Sequence, residues 1–224
     1  MALKIEKKIL SFGEMPRLAA PSGKTVLLVR HSFRQSLNDG TYDPPLTQEG
    51  AEYARSCGAF LAGMGETAFG ASPRLRARQT AEELMRGGGF PEEEVRVCPE
   101  LGDTAMFTRP ENLDAALASG NIAGKLRSYY STGRAPGMKD LDVFSSGLLE
   151  FLTGTDFGRK NAILATHDIL LVALLSVYGV YPFRLDDWCG YVQGAALFQS
   201  PGGGWTMAYA VPDASRREKY ALFV

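Results

Sequence analysis

The chain has 224 residues and two histidines, and each histidine directly follows a short apolar run. The run "KTVLLVRH" ends in Arg30 and His31, and the run "NAILATHD" reaches His167. Short runs rich in Val, Ile and Leu are typical of strands buried in a parallel sheet. Ligands of open α/β sheets bind outside the carboxyl ends of the strands. We therefore expect both histidines at the binding edge of such a sheet.

Several arginines accompany the histidines. Arg30 lies directly before the first histidine and Arg34 lies three residues after it, while "SPRLRARQTA" carries Arg74, Arg76 and a third arginine on a predicted helix. A metal site would need a third ligand with further His or Cys nearby, and no such spacing is found. Arginine forks bind phosphate oxygens, and a neutral histidine can act as a nucleophile. The combination indicates phosphoryl chemistry without a metal.

The overall composition argues against several other classes of protein. The net charge is −1 with no block of like charges, which argues against a nucleic-acid partner or a polybasic membrane patch. The three cysteines are scattered and odd in number, which argues against a zinc site and favours a reduced chain. No apolar run reaches the ~18 residues of a membrane span, and the N-terminal segment lacks a signal-peptide pattern. We therefore expect a cytoplasmic protein.

The elements that must position these residues alternate between strand and helix patterns. Thr47 is the predicted N-cap of one helix, and Ser72 with Pro73 is the predicted start of the next. "EVRVCPEL" is typical of a short strand, and "GYVQGAALFQSPGGGWTMAYAVP" predicts an antiparallel hairpin around a glycine-rich turn. The pattern predicts a three-layer α/β fold, with an open sheet between helices on both faces. The sheet is mostly parallel with an antiparallel C-terminal edge.

We interpret residues 1–224 as a single domain in which about 104–158 form a helical insertion over the active site. That insertion and the segment "YPFRLDDWCGY" are where residues that contact the leaving group are expected. The candidates are Phe107, Arg109, Tyr129, Tyr130, Arg184 and Trp188, although for each a place in the core or on the surface is the stronger expectation.

Four motifs in this order resemble the histidine phosphatase superfamily, which includes the phosphoglycerate mutases and the histidine acid phosphatases: "LLVRHSFRQS", "PPLTQEGAEYA", "ASPRLRARQTAEEL" and "ILATHDILLVALL". The resemblance covers residues 25–86 and 161–179. It implies that His31 accepts the phosphoryl group and that Arg30 and Arg76 bind its oxygens. It also implies that His167 binds the phosphoryl oxygens and stabilises the transition state. Arg74 and Arg78 are four residues apart and share a helix face, which we expect to be solvated.

Details around the motifs differ between branches of the family. Ser32 stands where the family has glycine, which would approach the phosphate more closely. Arg34 resembles a further phosphate-binding arginine of the acid phosphatases, and Asp168 resembles their general acid, which protonates the leaving oxygen. The mutase-like branch uses a glutamate in a Leu-x-Glu segment instead. The counterpart here is "ELGD", so Asp103 is the alternative acid and Glu100 a weaker one.

These features predict a metal-independent phosphomonoester hydrolase that forms a phosphohistidine on His31 and needs no cofactor. One alternative is a phosphoglycerate mutase-like phosphomutase, although the residues after His31 depart from the mutase pattern. The other is a non-catalytic phospholigand-binding protein, for which Ser32 is the sequence support. The expected partner is a small phosphorylated substrate, with neither nucleic acid nor a membrane. The substrate's identity and the oligomeric state are left open.

Overall fold

The computed structural model describes residues 2–36, 43–118, 122–184 and 186–213. Within these residues one seven-stranded sheet has the order β1-β7-β6-β2-β5-β3-β4. The strands are β1 Leu3–Ser11, β2 Thr25–Arg30, β3 Thr67–Ala71, β4 Arg96–Val97, β5 Asn161–Thr166, β6 Gly194–Gln199 and β7 Trp205–Val211. The helices are α1 Met15–Ala19, α2 Gln48–Ala59, α3 Leu75–Gly87, α4 Glu111–Ala118, α5 Ile122–Thr132, α6 Leu141–Gly154 and α7 Asp168–Val177.

The central strands β2 and β5 are the two apolar runs of the sequence. They pair in parallel with Leu27 opposite Ile163 and with Arg30 opposite Thr166. Every residue of β5 is buried, as a strand covered on both faces requires. Because the two strands end in the same register, the residues that follow them leave the sheet side by side.

The rest of the sheet confirms the predicted hairpin and adds one strand. β6 is antiparallel to both β2 and β7, so it supplies the antiparallel part of a mostly parallel sheet. β1 then pairs in parallel with β7, with a register shift between Glu6 and Leu10. The sequence predicts no strand at the N-terminus, because "LKIEKKILS" has no clean alternation of apolar and polar residues.

Helices cover both faces of the sheet, as the sequence predicts. Leu27 faces a core that contains residues of α1, α2 and α3, whereas its neighbour Leu28 faces a core that contains residues of α4 to α7. Alternation of side chains along a strand accounts for this division. The three helices within residues 104–158 lie on the second face, and none of the described helices is long and apolar enough to cross a membrane.

Two helices on the first face pack with their backbones almost in contact. Thr47 caps α2 by accepting a hydrogen bond from the Gly50 amide at 2.9 Å, as predicted. A Cβ atom at Gly58 would lie 2.3 Å from the Leu84 carbonyl oxygen, and one at Gly87 would lie 1.8 Å from the Arg55 carbonyl oxygen. Glycine is required at both positions, and the close packing fixes α3 against α2.

The prediction for the start of α3 is wrong by two residues. The helix begins at Leu75 with Arg74 as the N-cap, so neither Ser72 nor Pro73 occupies its predicted position. The Asp43 carboxylate, from a distant loop, accepts the Leu75 amide at 2.9 Å and 3.0 Å. An aspartate there stabilises the first turn as an N-cap would, and it releases Ser72 for another contact.

Candidate functional site

The two histidine rings lie against each other at the carboxyl end of the central strands. Their centroids are 5.4 Å apart, and the His31 amide donates to the Thr166 carbonyl at 2.9 Å. Both residues are buried, with exposures of 4% for His31 and 2% for His167. Two imidazole rings that are almost inaccessible to solvent therefore form the base of the site.

The hydrogen bond at Nδ1 fixes the tautomer of His31. This nitrogen lies 2.7 Å from the Ser32 carbonyl oxygen, and a carbonyl only accepts, so Nδ1 carries the ring proton. Burial lowers the pKa of His31 well below its ordinary value, with further lowering by the charges of Arg76 and Arg30. The ring is therefore neutral at physiological pH, with its lone pair on Nε2, as an imidazole nucleophile requires.

The opposite tautomer is fixed at His167. Arg76 Nη2 lies 3.3 Å from Nδ1, and because arginine only donates, Nδ1 accepts. The proton then lies on Nε2, which donates to the Ser72 hydroxyl at 2.8 Å. Burial lowers the pKa of His167 well below its ordinary value, and the nearby charge of Arg76 lowers it further. Ser72 is thus a partner of the second histidine and not a helix cap.

Arg30 is anchored at one end of its guanidinium. Nη1 donates to the Cys189 carbonyl at 2.7 Å, and Nη2 pairs with Asp168 Oδ2 at 3.1 Å. The Nε–H group is buried and has no hydrogen-bond partner among the described residues. A buried donor of this kind is costly unless a ligand meets it.

Arg76, which contacts His167, is held in a similar way. Nη2 pairs with Asp103 Oδ2 at 3.2 Å, and Nη1 lies 3.5 Å from Asp43 Oδ1. Its Nε–H is also buried without a hydrogen-bond partner in the described part of the chain. Two arginines near the imidazoles therefore each keep a buried N–H donor unused.

The remaining predicted arginines have different surroundings. Arg34 Nη1 donates to the Gln35 carbonyl at 2.9 Å, while the Arg34 charge is among the causes that lower the pKa of His31. The expectation of a solvated Arg74 is wrong, because its side chain is 17% exposed and Nε pairs with Asp103 at 3.0 Å. Asp103 thereby bridges Arg74 and Arg76.

Both candidate acids lie in the site, each in contact with a phosphate-binding candidate. Asp168 Oδ2 accepts from Arg30 and from the Trp188 indole at 3.1 Å, and Oδ1 accepts from the Ile169 amide at 2.9 Å. Asp103 contacts two arginines, whereas Asp168 contacts one. The surroundings of Asp168 are therefore the less cationic of the two.

Ser32 fits its position without a glycine-like backbone. Within the described residues Val192 alone among non-glycines has a positive φ. The Ser32 amide donates to Thr80 Oγ1 at 2.9 Å, and its hydroxyl donates to the Gly50 carbonyl at 2.7 Å. The Ser32 side chain is fully buried. Through these two hydrogen bonds Ser32 connects the loop that follows β2, here called the histidine loop, to α2 and α3.

Several residues near the site are not identifiable from the sequence motifs. Trp188, considered only as a lining residue, is buried and donates to Asp168. Tyr130 donates to the Ile169 carbonyl at 2.6 Å and packs against Trp188 with ring centroids 5.6 Å apart. Tyr191 lies over the Arg30 guanidinium at 4.2 Å. The available signal in the sequence was the aromatic-rich segment "YPFRLDDWCGY" for Trp188 and Tyr191, and the tyrosine pair of α5 for Tyr130.

Among the described residues, no group of three or more His, Cys, Asp or Glu side chains is arranged to hold a metal ion. The polar groups that converge on the histidines are arginine and serine side chains. This donor set fits an anionic group with several oxygens.

Comparison with known proteins identifies relatives. A family model described as the histidine phosphatase superfamily, branch 1, matches residues 26–178, more than half of the chain. The structure of YhfR from Bacillus stearothermophilus is 18% identical, with a TM-score of 0.58 over 85% of this chain and 98% of that one. A mycobacterial glucosyl-3-phosphoglycerate phosphatase is 18% identical, with a TM-score of 0.52 over 84% and 98% of the two chains.

A phosphoglycerate mutase from Bacillus anthracis is also 18% identical, with a TM-score of 0.52 over 87% of this chain and 96% of that one. A search of curated proteins gives no match. At this level of identity the solved structures establish a shared fold.

Proposed function

The chain belongs to the histidine phosphatase superfamily, and we propose that it is a phosphomonoester hydrolase that acts through a phosphohistidine on His31. One observation carries the proposal: a neutral His31, with its lone pair on Nε2, lies near Arg30 and Arg76, which each keep a buried Nε–H without a hydrogen-bond partner in the described chain. Phosphoryl transfer depends mainly on positioning and on neutralising the equatorial oxygens. The arrangement supplies both.

In the first step the His31 Nε2 lone pair attacks phosphorus, and the N–P bond forms as the bond to the leaving oxygen breaks. Arg30 and Arg76 bind the phosphoryl oxygens, with Arg34 as a further ligand. His167 joins them when its Nε2–H, which donates to the Ser72 hydroxyl in the free protein, turns to a phosphoryl oxygen. The arginine forks stabilise charge that is spread over these oxygens in the transition state. No metal or cofactor takes part in this proposal.

The leaving oxygen needs a proton, which we assign to Asp168. In the described part of the chain this carboxyl accepts from the Ile169 amide, from Arg30 Nη2 and from the Trp188 indole. Asp168 pairs with one arginine and contacts the Trp188 indole, whereas the alternative, Asp103, pairs with both Arg74 and Arg76. We therefore assign the proton donor to the carboxyl with fewer cationic partners.

In the second step water attacks phosphorus and the N–P bond breaks, returning His31 Nε2 with its lone pair. The carboxylate left by the first step takes the proton of the attacking water, so phosphate is released and the acid is restored. The same residue therefore acts first as acid and then as base.

The proposed substrate is a small phosphomonoester. A generic aryl phosphate tests the reaction, assayed with and without EDTA for wild type and for His31→Ala. Trapping of an acid-labile phosphoenzyme measures the intermediate. Arg159→Ala is a matched control, because this arginine is 43% exposed in a surface pair with Glu93.

We expect turnover that survives EDTA and phosphoenzyme that forms, with both lost in His31→Ala and retained in Arg159→Ala. Turnover that persists in His31→Ala would contradict the mechanism, and turnover lost with EDTA would contradict the metal-free chemistry. Phosphate returned mainly to an added alcohol or sugar phosphate would instead indicate a phosphomutase. Saturable vanadate binding without turnover would indicate a binding protein.

A further inference from the structure

We propose that Tyr191 is a positioning residue that holds the Arg30 guanidinium so that its free Nε–H faces the phosphoryl group. The proposal rests on the proposed function, since it concerns the same phosphate site. Tyr191 lies outside the four motifs that resemble the family. It ends the segment "YPFRLDDWCGY" but is not among the six residues named there as candidates.

The segment that carries Tyr191 surrounds Arg30 on several sides. The Arg30 amide donates to the Gln193 carbonyl at 2.9 Å, and the Val192 amide donates to the Arg30 carbonyl at 3.1 Å. The Cys189 carbonyl accepts from Arg30 Nη1 at 2.7 Å. Three residues of the segment 189–193 thus hydrogen-bond to the backbone or the side chain of Arg30.

Val192 turns the chain so that this enclosure is possible. Its φ is +56°, in the left-handed region that a β-branched side chain rarely adopts, and the residue is fully buried. Such a conformation costs on the order of 1–3 kcal/mol and persists where the surroundings determine it. Here the backbone hydrogen bonds to Arg30 and the buried side chain determine it.

The Tyr191 ring fixes the plane of the guanidinium. It lies 4.2 Å from Arg30 Cζ, as in a cation–π contact. A ring over the face leaves the in-plane N–H groups free, so Nη1 and Nη2 keep their protein partners and Nε–H remains for a ligand. Stacking thus controls the direction of that free donor without occupying it.

The ring is in turn held next to the nucleophile. The Phe33 and Tyr191 centroids are 4.5 Å apart, and Phe33 also contacts Tyr53 at 5.2 Å. The His31 and Tyr191 centroids are 6.0 Å apart. Tyr191 therefore connects the position of Arg30 to the loop that follows the nucleophile.

The test compares Tyr191→Leu, which removes the ring, with Tyr191→Phe, which keeps it. Tyr178→Leu is the control, because this tyrosine packs on the core at the opposite end of α7 from Asp168. For each variant we measure vanadate affinity, kcat, KM and the melting temperature. Vanadate mimics the phosphoryl group, so its affinity reports the Arg30 geometry even without turnover.

We expect Tyr191→Leu to weaken vanadate binding and to lower kcat/KM by roughly 5- to 30-fold, the range that corresponds to a partly desolvated cation–π contact. Tyr191→Phe should stay within about threefold, and Tyr178→Leu should change only the melting temperature. A Tyr191→Leu protein that melts earlier but keeps wild-type vanadate affinity and kcat/KM would overturn the positioning role.

The outcome also separates this proposal from the proposed function. If wild type binds vanadate but does not turn over, the hydrolase is wrong, while a selective loss of vanadate affinity in Tyr191→Leu still supports positioning. If wild type binds neither vanadate nor phosphate, both proposals fail together. If turnover depends on His31 but is indifferent to Tyr191, only the positioning role is overturned.

Discussion

Arg30 and Thr166 are register partners on the two central strands, so the histidine after each strand emerges beside the other. This pairing places the His31 and His167 rings 5.4 Å apart. The same register sets Arg30 against Asp168, the residue after His167, at 3.1 Å. One parallel strand pair therefore assembles the candidate nucleophile, a phosphate ligand and a carboxyl group.

The first prediction concerns the two arginines near the histidines. Arg30→Lys and Arg76→Lys should each lower kcat/KM by about 10²–10³-fold, because a lysine cannot keep the protein contacts of Nη1 and Nη2 and also present a donor at Nε. Steady-state kinetics on an aryl phosphate measure this loss. Arg159→Lys, in an exposed pair with Glu93, should have wild-type kinetics. Lysine variants that retain activity within threefold would show that charge alone suffices.

The fold was predictable to the extent that local patterns decide it. The strands β2 and β5 are buried apolar runs, and Thr47 caps α2 as its sequence indicates. The family resemblance is confirmed over residues 26–178. β1 was missed because its stability comes from pairing with β7, some 200 residues later in the chain, and not from its own pattern.

Site residues were predictable where they belong to a sequence motif. They were not predictable where the contact joins residues that are far apart in the sequence. Arg30 and Cys189 are 159 residues apart, and Asp43 and Leu75 are 32 residues apart. No local pattern links either pair. The expectation for Arg74 failed for the same reason, because its partner Asp103 lies in another loop.

The second prediction concerns stability at acid pH. Burial lowers the pKa of His31 and of His167 well below 6.5, so just below pH 6.5 the unfolded chain binds more protons than the folded one. The contribution of the two histidines to the free energy of unfolding is therefore fully present above pH 6.5. It is lost as the pH drops toward the lowered pKa values.

Each histidine contributes up to about 1.4 kcal/mol per pH unit in that window. Urea denaturation at pH 7.5 and 5.5 should show a loss of up to about 3 kcal/mol for wild type. The double variant His31→Gln/His167→Gln should show a much smaller loss. An equal loss in both proteins would mean that other groups cause the pH dependence.

The third prediction distinguishes the two candidate acids by the leaving group. Asp168→Asn keeps an oxygen that can accept from Arg30 but cannot supply a proton. It should lower kcat on an alkyl phosphate by about 10²–10⁴-fold. It should lower kcat far less on 4-nitrophenyl phosphate, whose leaving oxygen needs no proton. If Asp103→Asn shows this selective loss and Asp168→Asn does not, Asp103 is the acid.

The last prediction concerns the serine that stands where the family has glycine. Ser32 has no positive φ, and its buried hydroxyl donates to the Gly50 carbonyl at 2.7 Å. Ser32→Ala should reduce the free energy of unfolding by about 1 kcal/mol through the lost hydrogen bond. Ser32→Gly should reduce it by about a further 0.5–1 kcal/mol through the added backbone freedom. Both variants should keep kcat/KM within threefold, because the serine holds α2 and α3 and leaves His31 Nε2 free. A tenfold rise in kcat for Ser32→Gly alone would show that the serine restrains the histidine loop.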